Sequence, residues 1–212
     1  MQGSSRVPLV IGVLFVCTQA VVGQAQQRDT RVSRAQSMLL LDMPDLERGR
    51  EEFHYFGWTQ EFAVELSLAV VTLPGDANPH AVVVMQQLSK GWRWRASRLD
   101  EAQIRKLDPV LRNKRIEITQ AAREGSSAYL KYVLFTADDA PCAAFDFRRI
   151  SPGAEDGGGE AGFSGVYCAK PRTAFGDSEI ARLVAGVYVN VKGEIRRAYE
   201  IDQTPIPDRV RR

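Results

Sequence analysis

The sequence predicts an α+β protein in which an antiparallel β-sheet carries two or three helices on one face and holds one disulfide. Stretches in which apolar and polar side chains alternate with a period of two indicate strands, and clusters of turn-forming residues separate them. Two further segments combine a helix-capping residue with apolar side chains at helical spacing. Two cysteines follow the apolar N-terminal segment, and their pairing would link two of the strands.

The first 25 residues have the pattern of a secretory signal peptide. A short, weakly positive start precedes the apolar run 7–16, and small residues occupy the positions needed for cleavage after Ala25. Cleavage there predicts a periplasmic or secreted bacterial protein. The alternatives are an uncleaved membrane anchor, although polar residues interrupt the apolar run, and lipid attachment at Cys17, which the bulky residues before it disfavour.

Cys142 and Cys168 are the two cysteines that remain after the predicted cleavage. An even number of cysteines in an exported chain predicts a disulfide. Closing a loop of roughly 25 residues would stabilise the fold by about 3 kcal/mol on the chain-entropy model. Two free buried thiols are the alternative.

The length of 212 residues predicts one folded domain with flanking segments. Residues 26–52 are predicted to form a polar leader, with a short helix over 35–43. A single α+β domain is predicted to span residues 53–203, and a basic disordered tail to span 204–212.

The predicted elements of the domain follow one another as an antiparallel meander with two helices. A hairpin with a long loop comes first, and a short helix capped by Ser97, with Asp100 three residues later, follows. A second helix begins at Asp177 or Ser178 and ends at Gly186. The predicted strands cover residues 64–71, 81–88, 116–119, 128–136, 142–149, 163–169, 188–191 and 195–201, and the helices cover 99–107 and 178–185.

The two cysteines also predict a strand register. If Cys142 lies opposite Cys168, the numbers of paired residues sum to 310, so Phe145 faces Gly165 and Phe147 faces Phe163. These large apolar side chains share one face, which is expected to pack on the core. The disulfide would then cross-link neighbouring strands on the outer side of the sheet, together with Ala144, Asp146 and Ser164.

No motif predicts a catalytic residue, a cofactor or a metal. The G-x-G-x-x-G match at 157–162 precedes a strand-like run instead of the helix that a dinucleotide site needs. Glu51 and His54 form one E-x-x-H without a second such motif, and Ser164 is not in a nucleophile elbow. Asp146 is the one acid worth inspecting, and strand alternation favours an outward-facing role for it.

Residues 90–115 contain nine basic and three acidic side chains. Such an excess is typical of a surface for an anionic partner, including weak contact with a membrane surface. The predicted surface comprises Lys90, Arg93, Arg95, Arg98 and Arg105. A solvated face without a partner is the alternative, and nucleic acid is excluded as a partner by the predicted export.

The disulfide region resembles a family of small secreted proteobacterial proteins that have no assigned function. The resemblance rests on Cys142-Ala143-Ala144-Phe145 and Gly165-Val166-Tyr167-Cys168-Ala169, a C-x-x-F … G-x-Y-C-A pattern, followed by a short helix. It covers less than a quarter of the chain. It implies a location in the cell envelope and carries over no activity.

These observations predict an exported periplasmic protein that acts as a non-catalytic binding or structural module of the cell envelope. Its expected partner is an envelope component or another protein. Two alternatives remain: an envelope hydrolase whose carboxylates meet only in the fold, and a membrane-anchored envelope protein.

Overall fold

Two antiparallel sheets make up most of the computed structural model. An eight-stranded sheet has the order β1-β3-β4-β5-β9-β8-β7-β6, and a three-stranded sheet has the order β11-β10-β2. The structure describes residues 29–43, 45–46, 51–59, 64–71, 78–88, 98–124, 130–149, 161–191, 193–198 and 208–211. The predicted signal peptide, residues 89–97 and the glycine-rich loop 150–160 lie outside these residues.

The strands and helices have the following bounds. The strands are β1 Asp29–Val32, β2 Leu39–Leu41, β3 Glu51–Thr59, β4 Val64–Val71, β5 His80–Leu88, β6 Ile116–Glu124, β7 Leu130–Ala137, β8 Ala140–Arg149, β9 Ala161–Cys168, β10 Val187–Val191 and β11 Glu194–Arg197. The helices are α1 Glu101–Leu107, a 3₁₀ helix Pro109–Asn113, α2 Asp177–Ala185 and α3 Asp208–Arg211.

The predicted α+β architecture is wrong, because the fold is dominated by its two sheets. The helices are short, and α1 and α2 pack on opposite faces of the large sheet instead of sharing one. The small sheet takes the place that a layer of helices was expected to fill. The apolar segments that build it are only three to five residues long, too short for periodicity to separate strand from helix.

The predicted leader contains two strands and the start of a third instead of a short helix. β2 lies where the helix over 35–43 was expected, and its three buried leucines pair with β10 far along the chain. β1 and β3 pair with each other and extend the large sheet, so the predicted boundary at residue 53 falls within β3. Tertiary pairing overrides the local helical pattern here.

The C-terminal residues also depart from the predicted disordered tail. Asp208–Arg211 form one helical turn, in which Val210 is buried and belongs to the main core. The backbone carbonyl of Val210 accepts a hydrogen bond from the Arg34 guanidinium at 3.4 Å. The end of the described chain is therefore attached to its beginning.

The register predicted for the two cysteine-bearing strands is confirmed. β8 pairs with β9 so that Cys142 faces Cys168, Phe145 faces Gly165 and Phe147 faces Phe163. The hairpin of β4 and β5 and the meander of β7, β8 and β9 are confirmed as well. The alternation of apolar and polar side chains in these strands was strong enough to predict them from the sequence alone.

The side of the large sheet that bears Phe145 and Phe147 is called here the sandwich face. It packs against β2, β10 and α2, which contribute apolar side chains from the small sheet and from one side of the helix. The N-cap of α2 is Gly176, one residue before the predicted cap, and its backbone N–H donates to the Glu179 carboxylate at 2.9 Å. Gly186 ends this helix, as predicted.

The opposite side of the sheet, which bears the cysteines, is called here the cap face. α1 and the 3₁₀ helix cover part of it through Leu99, Ile104 and Leu111. The expectation that the cysteines lie on the outer side of the sheet is therefore only half right. They share that face, but the face is buried in a second hydrophobic core.

Candidate functional site

Buried polar side chains mark the places where a folded core could hold chemistry, since burying them without partners costs free energy. In the described part of the chain, four polar or charged residues are buried, namely Ser37, His80, Asp108 and Asp146. Three of the four belong to the cap face or to the segment that covers it. The cap face is therefore the candidate site.

His80 begins β5 and lies directly across from Cys168 on β9. Its Nε2 atom is 2.6 Å from Oδ2 of Asp108, and its Nδ1 atom is 2.8 Å from Oδ1 of Asn78. The side chains of His80 and Asp108 are 3% and 0% exposed, respectively. The imidazole is thus held between two oxygen acceptors next to the disulfide.

Asp108 joins the two helical elements of the cap. Its backbone N–H donates to the Ile104 carbonyl at the end of α1, and its Oδ1 atom accepts from the Val110 N–H at 3.0 Å at the start of the 3₁₀ helix. Its second carboxylate oxygen binds His80. One side chain therefore fixes the junction of α1 and the 3₁₀ helix to the large sheet.

This geometry makes His80 a poor general base. Both ring nitrogens lie within hydrogen-bond distance of a side chain, Nε2 of Asp108 and Nδ1 of Asn78, and the His80 side chain is almost fully buried. Neither nitrogen is therefore exposed to meet a substrate or a metal ion in this conformation. The pair is suited to holding the cap in place and not to acid–base chemistry.

The predicted disulfide is present between Cys142 and Cys168, with an Sγ–Sγ distance of 2.07 Å. The two residues are 1% and 0% exposed, and they lie in the core formed with Leu99, Ile104 and Leu111 of the cap. A reductant can reach the sulfur atoms only if the cap moves away.

Asp146 lies on the cap face, as predicted, but it is fully buried instead of exposed. Its neighbours across the strands are Ser164 on β9 and Lys131 on β7, both half-buried. Strand pairing thus places the Lys131, Asp146 and Ser164 side chains next to one another across β7, β8 and β9.

The predicted anionic-partner surface is only partly described. Lys90, Arg93 and Arg95 lie outside the described residues, whereas Arg98 is exposed. The Arg105 guanidinium donates to Glu101 and to the carbonyls of Leu111, Arg112 and Lys114, at 2.6 to 2.9 Å. Arg105 therefore holds the end of the 3₁₀ helix.

Several basic residues of the cap remain exposed around this anchored arginine. Lys106 on α1, Arg112 on the 3₁₀ helix and Arg115 just after it are exposed. Lys114 is bound to Asp138 at 3.2 Å, and the hydrogen bond from the Arg115 backbone N–H, followed by that from Lys114, lowers the pKa of that carboxyl group. The exposed positive charge of the described cap is carried by Arg98, Lys106, Arg112 and Arg115, beside the exposed acids Asp100 and Glu101.

The E-x-x-H motif does not form a metal site. Glu51 and His54 are three positions apart on β3, so strand alternation directs them to opposite faces. Among the described residues, no group of three His, Cys, Asp or Glu side chains could hold a metal ion. In the same residues, no helix is long and apolar enough to cross a membrane.

Sequence reasoning missed the pairing of His80 with Asp108. The two residues are 28 positions apart, one at a strand end and one between two helical elements. No motif spacing encodes such a contact. The only usable signal was the strand pairing, because a β5–β9 register would have placed His80 beside Cys168.

The geometry of the cap face therefore has to be interpreted without help from relatives. A scan with protein-family models finds no match, and searches of curated proteins and of solved structures find no significant match.

Proposed function

We propose that the chain is an exported, non-catalytic binding or structural module of the bacterial cell envelope, released by signal-peptide cleavage near Ala25. The observation that carries this proposal is the closure of the cap face. The groups most suited to chemistry, His80, Asp108 and the disulfide, are buried and bound to one another or to the cap. They serve the scaffold, which leaves the surface to make contacts.

The disulfide supports the exported location. Disulfides persist in oxidising compartments such as the periplasm and are rare in the reducing cytosol. The apolar segment 7–16 and the small residues before the cleavage position provide a route to that compartment.

The exposed cations of the cap support binding of an anionic envelope component. Arg98, Lys106, Arg112 and Arg115 are exposed, and the anchored Asp108 and Arg105 hold the backbone that presents them. Exposed cations attract anionic groups weakly and in a salt-dependent way. We therefore expect binding that high salt removes.

Intact-mass analysis of the protein from its native host tests the exported location. The expected chain begins at Gln26 and is alkylated at two cysteines only after reduction. A retained Met1 with freely alkylated cysteines would contradict export.

A matched pair of variants tests whether the exposed cations of the cap bind an anionic surface. Arg98→Glu with Arg112→Glu reverses exposed charge, whereas His80→Gln disturbs the buried pair. We expect the charge reversal to abolish low-salt co-sedimentation with anionic lipid vesicles, and His80→Gln to preserve it at temperatures where that variant is folded. Preserved co-sedimentation after charge reversal would contradict the proposed surface.

A further inference from the structure

β6 is an open edge of the large sheet. It is nine residues long, and among the described strands only β7 pairs with it. The strands at the other sheet edges, β1, β2 and β11, have three or four residues. The outer backbone donors and acceptors of an edge strand form a template for another strand.

One large apolar side chain of this edge is exposed to solvent. Ile118 is 45% exposed and is the single large hydrophobic residue that is exposed in the described part of the chain. Ala121 and Ala122 are exposed on the same strand. The unpaired edge can accept another strand, and Ile118 and the two alanines can pack against the side chains of that strand.

We propose that β6 pairs with β6 of a second copy of this chain, antiparallel and about a two-fold axis at Gln120. In such a pair the numbers of facing residues sum to 240. Glu117 then faces Arg123 of the other copy, and Ile118 faces Ala122. The symmetry produces each contact twice, so the charge pattern of the strand is complementary to itself.

The charged residues also share a face. Glu117, Gln120 and Arg123 lie opposite Thr136, Leu134 and Tyr132 of β7, which alternate onto the sandwich face. A two-fold axis perpendicular to a sheet keeps each face on its own side. The Glu117 carboxylate of one copy and the Arg123 guanidinium of the other therefore meet on the same side of the joined sheet.

Gln120 provides an observation that does not depend on charge. Its Oε1 atom is buried and has no hydrogen-bond partner among the described residues. At the two-fold axis, each Gln120 amide faces its symmetry equivalent, so each Nε2 atom can donate to the other copy's Oε1. Because the Oε1 atom has no exposed surface in a single chain, the Gln120 side chain must change rotamer on association, and it then gains the hydrogen bond that it lacks in the monomer.

The association is expected to be weak and reversible. Register shifts interrupt β6 on each side of Gln120, between Ile118 and Gln120 and between Gln120 and Arg123. Such bulges limit edge pairing. Two strands also cover less than the roughly 1,600 Å² of a standard interface. We expect a dissociation constant of the order of 10 µM.

Sedimentation equilibrium over a range of concentrations tests the proposal on the protein isolated from its native host. Glu117→Arg or Arg123→Glu places like charges opposite each other twice, which is expected to weaken the dimer about tenfold or more. The double variant restores opposite charges and is expected to return the dissociation constant to within about threefold of the original.

Two control variants keep the result specific to pairing. Arg123 also contacts Asp177 at 3.2 Å, so Asp177→Asn removes that ion pair without changing the facing charges. Arg112→Glu reverses an exposed charge away from β6. Both are expected to leave the dimer intact, with unchanged thermal unfolding.

Three results would overturn the proposal. The first is a protein that stays monomeric at every concentration up to about 1 mM, which is a hundredfold above the expected dissociation constant. The second is a double variant that dimerises as weakly as the two single variants. The third is a dimer that is unaffected by either single charge reversal. Pairing of β6 requires neither export nor the basic surface of the cap. The dimer can therefore be absent while the proposed function is correct, and the dimer can form while the proposed function is wrong.

Discussion

The two faces of the large sheet are buried by different means. On the sandwich face, aromatic rings stack in a row, and the rings of Phe147 and Phe163 lie 4.7 Å apart between centroids. On the cap face, alanine and valine side chains, a single phenylalanine (Phe135) and the disulfide lie beneath a seven-residue helix and a 3₁₀ helix. The sandwich face is covered mainly through burial of apolar area, whereas the cover of the cap face is held by a few hydrogen bonds.

This difference shows how a thin layer can be held on a sheet. A short cap buries too few side chains to remain in place through hydrophobic contact alone. The hydrogen bond between His80 and Asp108 and the hydrogen bonds of Arg105 supply the additional attachment. Truncation of an apolar side chain should therefore lower the free energy of unfolding most on the sandwich face. Loss of a single hydrogen bond should lower it most on the cap face.

The largest effect is expected for Phe147→Ala. Phe147 is fully buried and stacks on Phe163, so truncation leaves a cavity and lowers the free energy of unfolding by about 4 kcal/mol. Urea unfolding measures the change. Phe135→Ala on the cap face is the matched control, because it removes the same atoms from a buried position beneath the thin cap, where a smaller loss is expected. Equal losses for the two variants would contradict the contrast between the faces.

Asp108→Asn tests the principal link of the cap. The variant keeps an oxygen for the Val110 N–H but removes the buried carboxylate that binds Nε2 of His80, which is expected to lower the free energy of unfolding by about 3 kcal/mol. Asp100→Asn is its control, because Asp100 caps α1 in an exposed position where asparagine caps equally well. If both variants unfold at the same urea concentration, the cap does not depend on the hydrogen bond between His80 and Asp108.

Strand alternation predicted which residues share each face of the large sheet, but it did not predict which elements pack on those faces. The register of β8 and β9 followed from two cysteines and a period of two, and it is confirmed. The small sheet could not be predicted, because β2 and β10 are separated by most of the chain and are too short to show a period. Pairing between distant segments is not encoded in local sequence.

The candidate site shows the same division. The disulfide was predictable because cysteine count and compartment restrict its chemistry. The partner of His80 was not, because a contact between a strand end and a helix junction leaves no spacing pattern. The burial of Asp146 was missed for a related reason, since alternation assigns a face but does not say whether that face is covered.

Gly165→Ala sharpens the account of the sandwich face. A Cβ atom at this position would lie 2.6 Å from Cζ of Phe145 and 3.0 Å from Cγ2 of Val83. Overpacking of this kind is expected to cost about 2 kcal/mol. Ser164→Ala, on the neighbouring cap-face position of β9, is expected to change the urea midpoint little. A neutral Gly165→Ala would show that the ring of Phe145 has room to move.

The smallest effect is expected at alkaline pH. Burial, with a further contribution from Asp45, raises the pKa of Tyr167 to about 12, above its unfolded value of 10.0. Between these values the unfolded chain loses the proton first, so stability falls as pH rises. At pH 11, the ionisation of Tyr167 lowers the free energy of unfolding by about 1 kcal/mol. Tyr167→Phe should flatten this part of the pH profile, and an unchanged profile would assign the loss to other groups.

The rate of disulfide reduction tests most directly whether the cap face is closed. The protein is incubated with a dithiol reductant at increasing urea concentration, and free Cys142 and Cys168 are alkylated and counted by mass. The account predicts very slow reduction in native buffer and a rate that rises in step with the unfolded fraction, because the cap covers both sulfur atoms. Rapid reduction in native buffer, independent of urea, would show that the cap does not seal the disulfide.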